Sequence, residues 1–219
     1  PKHQFGWKVL GAILNQSGRI SEALIANEKC AELSPLNADA HSNLGVTQRA
    51  LGNLSAAESS LKKAILLNPA CAAAYNNLGL IQRDRKEIDS AEVSYMRAIS
   101  LEPKYFDAYS NLGDLQTELG KLQEAVGTYK IAVSLQPESL KALNNLGCLL
   151  QIQGKLEEAE KYFKKAVSLK AAHLESLHNL GIIQTALEKF DKEAQANMQN
   201  MNNYSKILYS KFKSDILKI

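Results

Sequence analysis

The sequence predicts an all-α protein, a right-handed superhelical solenoid of six helix-turn-helix units followed by a C-terminal capping helix. Three observations predict this fold class. The tripeptide Asn-Leu-Gly recurs with a period of 34 residues, beginning at residues 43, 77, 111, 145 and 179. Small residues recur in phase with it, and four of the five prolines stand at one position of the period. Hairpins of this kind bury their apolar faces only by stacking on neighbours, which favours a solenoid.

The period extends upstream to Val9-Leu10-Gly11, so the first repeat begins at residue 4. We number slots 1 to 34 from the start of each repeat. In this prediction residues 1–219 form a single domain, repeat 6 has an irregular second helix, and residues 208–219 complete the capping helix. The six repeats are 4–37, 38–71, 72–105, 106–139, 140–173 and 174–207.

The first helix of each repeat carries an invariant leucine at slot 7 and an invariant glycine at slot 8. A glycine inside a helix costs about 1 kcal/mol relative to alanine, so its repetition indicates a close contact between helices. Slot 20 of the second helix is alanine in five repeats, and slot 27 is alanine in four and Cys30 in the first. We therefore expect the two helices of a repeat to pack tightly at slots 8, 20 and 27.

Glycine and proline mark the ends of the helices. Slot 15 is glycine in four repeats, which predicts a tight turn there, and slot 32 is proline in the first four repeats. Each repeat should then contain two helices of about 12 to 14 residues, an αα-hairpin. The first helices should line a concave surface and the second helices a convex one. The glycines are Gly18, Gly52, Gly120 and Gly154, and the prolines are Pro35, Pro69, Pro103 and Pro137.

These residues resemble the tetratricopeptide repeat (TPR) family. The resemblance includes the aromatic residues Tyr95, Tyr129 and Phe163 at slot 24 and covers roughly residues 4 to 201. Departures lie at the ends: slot 24 of repeat 1 is Asn27, slot 32 of repeat 5 is Ala171, and the alanine of repeat 6 comes one residue late, at Ala194. The resemblance implies a scaffold that binds peptide segments of partner proteins on its concave surface.

Slot 6 carries asparagine in repeats 2 to 6, which gives a ladder along the predicted concave groove. A side-chain amide has a donor and an acceptor, so such a ladder can hold an extended polypeptide through its backbone. The alternative is that these asparagines only bond neighbouring helices. Five further groove contacts are considered, namely Asn76, Arg83, Ser110, Asp114 and Asn144. The predicted peptide-binding residues are Asn43, Asn77, Asn111, Asn145 and Asn179.

The ladder resembles the TPR arm of O-linked N-acetylglucosamine transferases, which grips polypeptides. A second hypothesis is therefore the substrate-recognition arm of a larger glycosyltransferase-like enzyme, and a third is self-association as a homodimer. Another branch of the family holds chaperone carboxylates with five residues; Lys8 and Asn43 match this clamp, whereas Ala12, Ala73 and Asn77 do not. We do not expect binding of chaperone tails.

Composition excludes several other classes. Four lysines and one aspartate in residues 202–219 account for the whole net charge of +3, so the remainder is neutral and nucleic-acid binding is not expected. No apolar run could span a membrane, and three widely spaced cysteines suggest a reducing, cytoplasmic location. No phosphate loop, metal cluster or nucleophile with a base is evident, so we predict neither catalysis nor a cofactor. The chain begins with Pro1 rather than methionine, and we expect it to belong to a longer protein.

The end of the chain allows two interpretations. Ile207, Leu208, Phe212, Ile216 and Leu217 follow near-helical spacing with lysines between them. We favour a capping helix, because terminal repeats of a solenoid need one polar face. The alternative is a basic amphipathic helix that lies on a membrane surface.

Overall fold

The computed structural model describes residues 3–170 and 173–216, except for the side chains of 193, 194, 196, 197, 204 and 208–216. Over these residues the regular structure is entirely α-helical, which confirms the predicted all-α repeat fold. The helices of the first five repeats have 13 or 14 residues, as expected. They are α1 Gln4–Gln16, α2 Ile20–Leu33, α3 Ala38–Ala50, α4 Leu54–Leu67, α5 Ala72–Asp84, α6 Ile88–Leu101, α7 Phe106–Glu118, α8 Leu122–Leu135, α9 Leu140–Ile152, α10 Leu156–Leu169 and α11 Leu174–Ile216.

Each of the first five repeats is an αα-hairpin whose two helices pack against each other. The chain divides into two compact units, an N-terminal unit of Pro1–Pro137 and a C-terminal unit of Glu138–Ile219. Helices α1 to α8 belong to the first unit, and α9 to α11 belong to the second. The prediction of a single domain over residues 1–219 stays a prediction.

The turn inside each hairpin depends on one residue with positive φ at slot 15. The four predicted glycines adopt φ between 70° and 79°. The residue after the turn then donates its backbone N–H to a carbonyl five residues earlier, as Lys155 does to Leu150 at 2.9 Å. This is the helix-ending pattern that a left-handed residue permits. Repeat 3 forms the same turn with Lys86, at φ 64°, so the turn does not require glycine.

In repeats 1 to 5 the invariant glycine of slot 8 contacts the slot 24 residue of the same repeat. A Cβ atom added to Gly147 would lie 2.6 Å from the Phe163 ring, and one added to Gly79 would lie 2.6 Å from the Tyr95 ring. Both rings are fully buried, as are the slot 20 and slot 27 alanines of repeats 2 to 5. The predicted close contact between the two helices is therefore confirmed in these repeats.

Repeat 6 does not form the predicted hairpin. Helix α11 runs without interruption from Leu174 to Ile216, through the position of the expected turn at Glu188. The sequence places Glu193, Asn197 and Asn200 at slots 20, 24 and 27, where the other repeats bury mostly small or apolar residues. A hairpin would have to bury these polar groups at a cost in free energy, so the helix continues instead.

The predicted capping helix is likewise the last part of α11 rather than a separate element. The side chains of Leu208, Phe212 and Ile216, and all of residues 217–219, lie outside the described part of the chain. Their packing as a cap stays a prediction. Within the described residues, no helix combines the length and the apolar character needed to cross a bilayer.

Candidate functional site

The first helices of successive repeats pack side by side within each compact unit. Helix α3 contacts α1 and α5, and α5 contacts α7, while α9 contacts α11 in the C-terminal unit. We call the outer surface that these first helices share the first-helix face; each compact unit has its own. The slot-6 asparagines lie on it, because slots 6 and 8 are 200° apart around a helix and slot 8 faces the second helix.

All five slot-6 asparagines are half-buried, and Asn111 and Asn179 bond the preceding repeat. The Asn111 amide donates to Oδ1 of Asn76 at 2.9 Å. The Asn179 amide donates to Oδ1 of Asn144 at 3.2 Å and to Sγ of Cys148 at 3.4 Å. The donor half of these amides therefore links neighbouring first helices, which is what the structural interpretation of the ladder expects.

Asn43 and Asn77 differ from the other members of the ladder. In the described part of the chain neither side chain makes a hydrogen bond, although both occupy the same half-buried position. In the preceding repeat, slot 5 is Lys8 for Asn43 and Ser42 for Asn77. For Asn111 and Asn179, slot 5 of the preceding repeat is the asparagine that accepts their hydrogen bond. These two amides keep both donor and acceptor for another molecule.

Three of the secondary contacts predicted from the sequence are buried, which corrects their assignment to the open groove. Asn76 is 4% exposed, Asn144 is 2% exposed, and Ser110 is equally enclosed. In repeats 2 to 5 the slot 5 side chain is buried between helices, and Asn144 donates to Oε1 of Glu175 at 2.6 Å in the next repeat. These polar residues join repeats to one another, so we remove them from the candidate surface.

The charged side chains of the first-helix face pair with one another. Arg49 donates to Asp84 at 2.7 Å, and Arg83 bonds Glu118 in the next repeat. The bond to Glu118 raises the pKa of the Arg83 guanidinium. The sequence did not lead us to predict this pairing, because each charge was considered alone. The signal was available, since each arginine at slot 12 is followed by a carboxylate at slot 13 of the next repeat.

Asp114, the remaining secondary residue, has a structural contact as well. Its carboxylate accepts a hydrogen bond from the hydroxyl of Tyr129, the slot 24 residue of its own repeat. Lys8, which matched the chaperone clamp, pairs instead with Asp39 at 2.8 Å. Ligand binding by either residue has to compete with these contacts.

The described residues of this face include the thiol of Cys148, at slot 9. Burial, and then the charge of Glu175, raise the pKa of the Cys148 thiol, which disfavours the nucleophilic thiolate at neutral pH. Among the residues that the structure describes, no group of three His, Cys, Asp or Glu side chains could hold a metal ion. The surface therefore offers amide, carboxylate and guanidinium groups suited to binding a polar chain.

Comparison with protein families gives three matches, all to tetratricopeptide repeat models. They cover residues 38–71, 72–105 and 104–172. The boundaries of the first two coincide with repeats 2 and 3 as defined from the sequence. No curated protein sequence matches the chain significantly.

Solved structures are similar over most of the chain. The crystal structure of MamA is 31% identical, with a TM-score of 0.62 over 74% of this chain and 94% of that one. A pilF protein of Pseudomonas aeruginosa is 21% identical, with a TM-score of 0.77 over 90% and 89%. YrrB, described as a TPR protein with an unusual peptide-binding site, is 20% identical, with a TM-score of 0.58 over 81% and 91%.

The last two likenesses show the fold alone, whereas the identity and coverage with MamA reach the level of shared family. Repeats of this kind are scaffolds for protein interaction and are generally non-catalytic. The 34-residue period, the glycine-to-aromatic contact in repeats 3 to 5 and the family matches agree, and the chain belongs to the tetratricopeptide repeat family.

Proposed function

We propose that this chain is a protein-interaction scaffold that captures extended polypeptide segments on its first-helix face, with the slot-6 asparagines as backbone contacts. The observation that carries the proposal is the contrast within the ladder. Asn43 and Asn77 have amides without hydrogen bonds in the described chain, on the same surface where Asn111 is already engaged. A half-buried amide without a partner is costly unless water or a ligand satisfies it.

The chemistry of an amide matches that of a peptide backbone. Its oxygen accepts from a backbone N–H, and its nitrogen donates to a backbone carbonyl, so recognition does not depend on the side chains of the ligand. Asn111 retains its Oδ1 for this purpose even while its nitrogen bonds Asn76. The ladder therefore offers both the donor and the acceptor of the Asn43 and Asn77 amides, together with the acceptor oxygen of Asn111.

The spacing of the ladder also suits an extended chain. Packed helices lie about 8 to 10 Å apart, and an extended chain advances about 3.3 to 3.6 Å per residue. Successive asparagines would then meet about every third residue of the ligand. The likeness to YrrB supports the idea that this fold can hold a peptide, although it says nothing of the residues involved.

The test uses short random peptides displayed on phage, selected against the full chain. A selected peptide is then synthesised with an ordinary backbone and with N-methylated amides. The Asn43→Ala/Asn77→Ala variant should bind the ordinary peptide about tenfold or more weakly, a loss typical of two hydrogen bonds. N-methylation should weaken binding to the original chain by a similar factor.

A matched control is Ser59→Ala/Lys63→Ala, which changes two exposed residues of the second helix α4. It should bind like the original chain. Equal binding by the asparagine variant and the original chain would contradict the proposal. A large loss of helicity in the asparagine variant, measured by circular dichroism, would instead support a structural role for the ladder.

The glycosyltransferase-arm hypothesis depends on the resemblance of the ladder alone. It predicts a catalytic domain encoded beyond Ile219, which the sequence of the parent gene would reveal. A cytoplasmic location and the lack of nucleic-acid binding stay predictions from composition. Self-association as a homodimer likewise stays a prediction.

A further inference from the structure

The first half of α11 presents a face that a second helix covers in repeats 1 to 5, and no described helix covers it here. At slots 4 and 8, Leu177 is 40% exposed and Gly181 is also exposed. The same slots of repeat 5 hold Leu143 and Gly147, which are buried. Beyond its own helix, nothing described lies within 4 Å of a Cβ atom placed on Gly181. Repeat 6 therefore has the receiving side of a hairpin without the helix that would complete it.

This open face forms a groove, which we call the Gly181 groove. It has a volume of about 540 Å³ and is lined by Leu177, His178, Gly181, Ile182 and Thr185. A pocket of this size can hold a whole small ligand, so one aromatic side chain fits. In repeats 3 to 5 an aromatic ring at slot 24 occupies the equivalent space beside the slot 8 glycine. The groove therefore has the shape to receive a ring carried by a helix.

Gln184 adds a polar group to the same face, because it lies three residues after Gly181. In repeats 2 to 4 the slot 11 glutamine accepts a hydrogen bond from the slot 23 hydroxyl of its own second helix. The pairs are Ser60 with Gln48 at 2.7 Å, Ser94 with Gln82 at 2.6 Å, and Thr128 with Gln116 at 2.7 Å. Gln184 occupies slot 11 of repeat 6, and its amide donates to Glu160 at 3.4 Å. In the described chain its Oε1 accepts no hydrogen bond, so it can accept one from a hydroxyl.

Phenylalanine suits the groove better than tyrosine. Slot 9 lies beside the slot 24 ring, since the Tyr129 hydroxyl bonds Asp114 at slot 9 of its own repeat. Repeat 6 has Ile182 there, whose side chain cannot accept a hydrogen bond. Leu80 occupies slot 9 of repeat 3, and the buried hydroxyl of Tyr95 has no hydrogen-bond partner among the described residues. A tyrosine in the groove would bear the same cost of an unsatisfied hydroxyl.

We propose that the Gly181 groove binds an α-helix of a partner protein, antiparallel to the first half of α11, and that this helix completes the sixth hairpin. The partner helix carries the pattern Ala-x-x-Ser/Thr-Phe-x-x-Ala. Its phenylalanine packs on Gly181, its hydroxyl donates to Gln184, and its two alanines let the helix axes approach each other. Each part of the pattern repeats a contact that second helices of this chain make with their own first helices.

A second copy of this chain does not supply the helix. In α2, α4, α6, α8 and α10 the residues at slots 20, 24 and 27 are buried in their own hairpins. The second half of α11 has Ala196 and Asn197 at slots 23 and 24, so its sequence provides neither the hydroxyl nor the ring. The occupant that fits the groove is thus a helix from another protein.

The first experiment measures the binding of a helical peptide to the full chain by fluorescence anisotropy. The probe is a labelled, hydrocarbon-stapled copy of α6 that carries Tyr95→Phe, and the staple is needed because so short a helix is marginal in water. Gly181→Ala should raise the dissociation constant at least about tenfold, because its Cβ would collide with the ring as one on Gly147 would. Gly127→Ala in α8 is the matched control and should bind like the original chain, since it also changes a helical glycine with open space around its Cβ.

Variants of the probe separate the ring from the hydroxyl. Alanine in place of the ring should raise the dissociation constant at least about tenfold, and a probe that keeps Tyr95 should bind more weakly than the phenylalanine probe. Gln184→Ala should raise the dissociation constant about three- to tenfold, as expected for one hydrogen bond. When Ser94→Ala is added to the probe, the original chain and Gln184→Ala should bind it equally, since no hydrogen bond remains to be lost.

Four outcomes would overturn the proposal. One is a dissociation constant for the phenylalanine probe above about 1 mM. Another is equal binding by Gly181→Ala and the original chain, and a third is a loss in Gly127→Ala as large as that in Gly181→Ala. The fourth is a dimer in sedimentation velocity that Gly181→Ala abolishes, which would assign the groove to a second copy.

Discussion

Gly147 and Gly181 occupy the same slot in neighbouring repeats, yet their surroundings are opposite. The ring of Phe163 leaves no room for a side chain at Gly147, whereas nothing lies within 4 Å of a Cβ atom placed on Gly181. The difference arises in the second helices, because α10 folds back on α9 and the corresponding part of α11 does not. An invariant residue therefore marks a close contact only where its partner segment also has the residues to make it.

Repeat 3 shows what decides between the two outcomes. Lys86 forms its turn in the left-handed conformation, which costs a non-glycine residue about 1 to 2 kcal/mol. Full burial of Ala91, Tyr95 and Ala98 offsets that cost. Repeat 6 offers polar residues at those three slots, so no comparable burial compensates for a turn at Glu188.

The Gly147→Ala substitution should have the largest effect on the free energy of unfolding. Its Cβ would lie 2.6 Å from a buried, rigid ring, so α9 and α10 must move apart. Overpacking typically costs about 1 to 3 kcal/mol, partly offset by the better helix propensity of alanine. We expect a net loss on the order of 1 to 2 kcal/mol and a lower melting temperature. An unchanged melting temperature would show that the contact is loose.

The same substitution at Gly181 should act in the other direction. With open space around the Cβ atom, only helix propensity changes, and it favours alanine by about 1 kcal/mol. Gly181→Ala should therefore raise the melting temperature of the C-terminal unit or leave it unaltered. A clear destabilisation would mean that α11 folds back on itself in solution, as the repeat pattern first predicted.

The smallest effect concerns the turn. Lys86→Gly removes the strain of a left-handed lysine but gives the unfolded chain more freedom, so we expect a net gain of about 0.5 kcal/mol in the free energy of unfolding. Lys86→Ala is the control, since it removes the side chain and keeps the strained backbone. Chemical denaturation of both variants measures the difference. Equal stability of the two would show that the backbone at residue 86 carries little strain.

Much of the fold could be predicted from the period alone. Helix lengths, turns and the contact of slot 8 with the second helix follow in repeats 1 to 5 because each is encoded by residues within one hairpin. The continuity of α11 could not be predicted in the same way, because it depends on a balance between turn strain and burial. The polar residues at slots 20, 24 and 27 of repeat 6 were the available signal.

The candidate site was less predictable than the fold. Slot 6 was identified from repetition, but the sequence could not show that Asn111 and Asn179 would bond the preceding repeat while Asn43 and Asn77 would not. That difference depends on slot 5 of the neighbouring repeat. The ion pairs of Arg49 and Arg83 also join neighbouring repeats, with partners 35 positions away in the sequence. Such contacts between repeats can be assigned only once the packing of the repeats is known.

The contact between slot 8 and slot 24 also bears on how the chain folds. Gly147 and Phe163 are 16 residues apart in sequence, and the other hairpins have the same separation. Closing so short a loop costs little entropy, so folding can begin in any of several hairpins and spread to its neighbours. Low contact order of this kind is associated with fast folding. Repeat 6, which lacks the contact, can order its first turns only against a hairpin of α9 and α10 that has already formed.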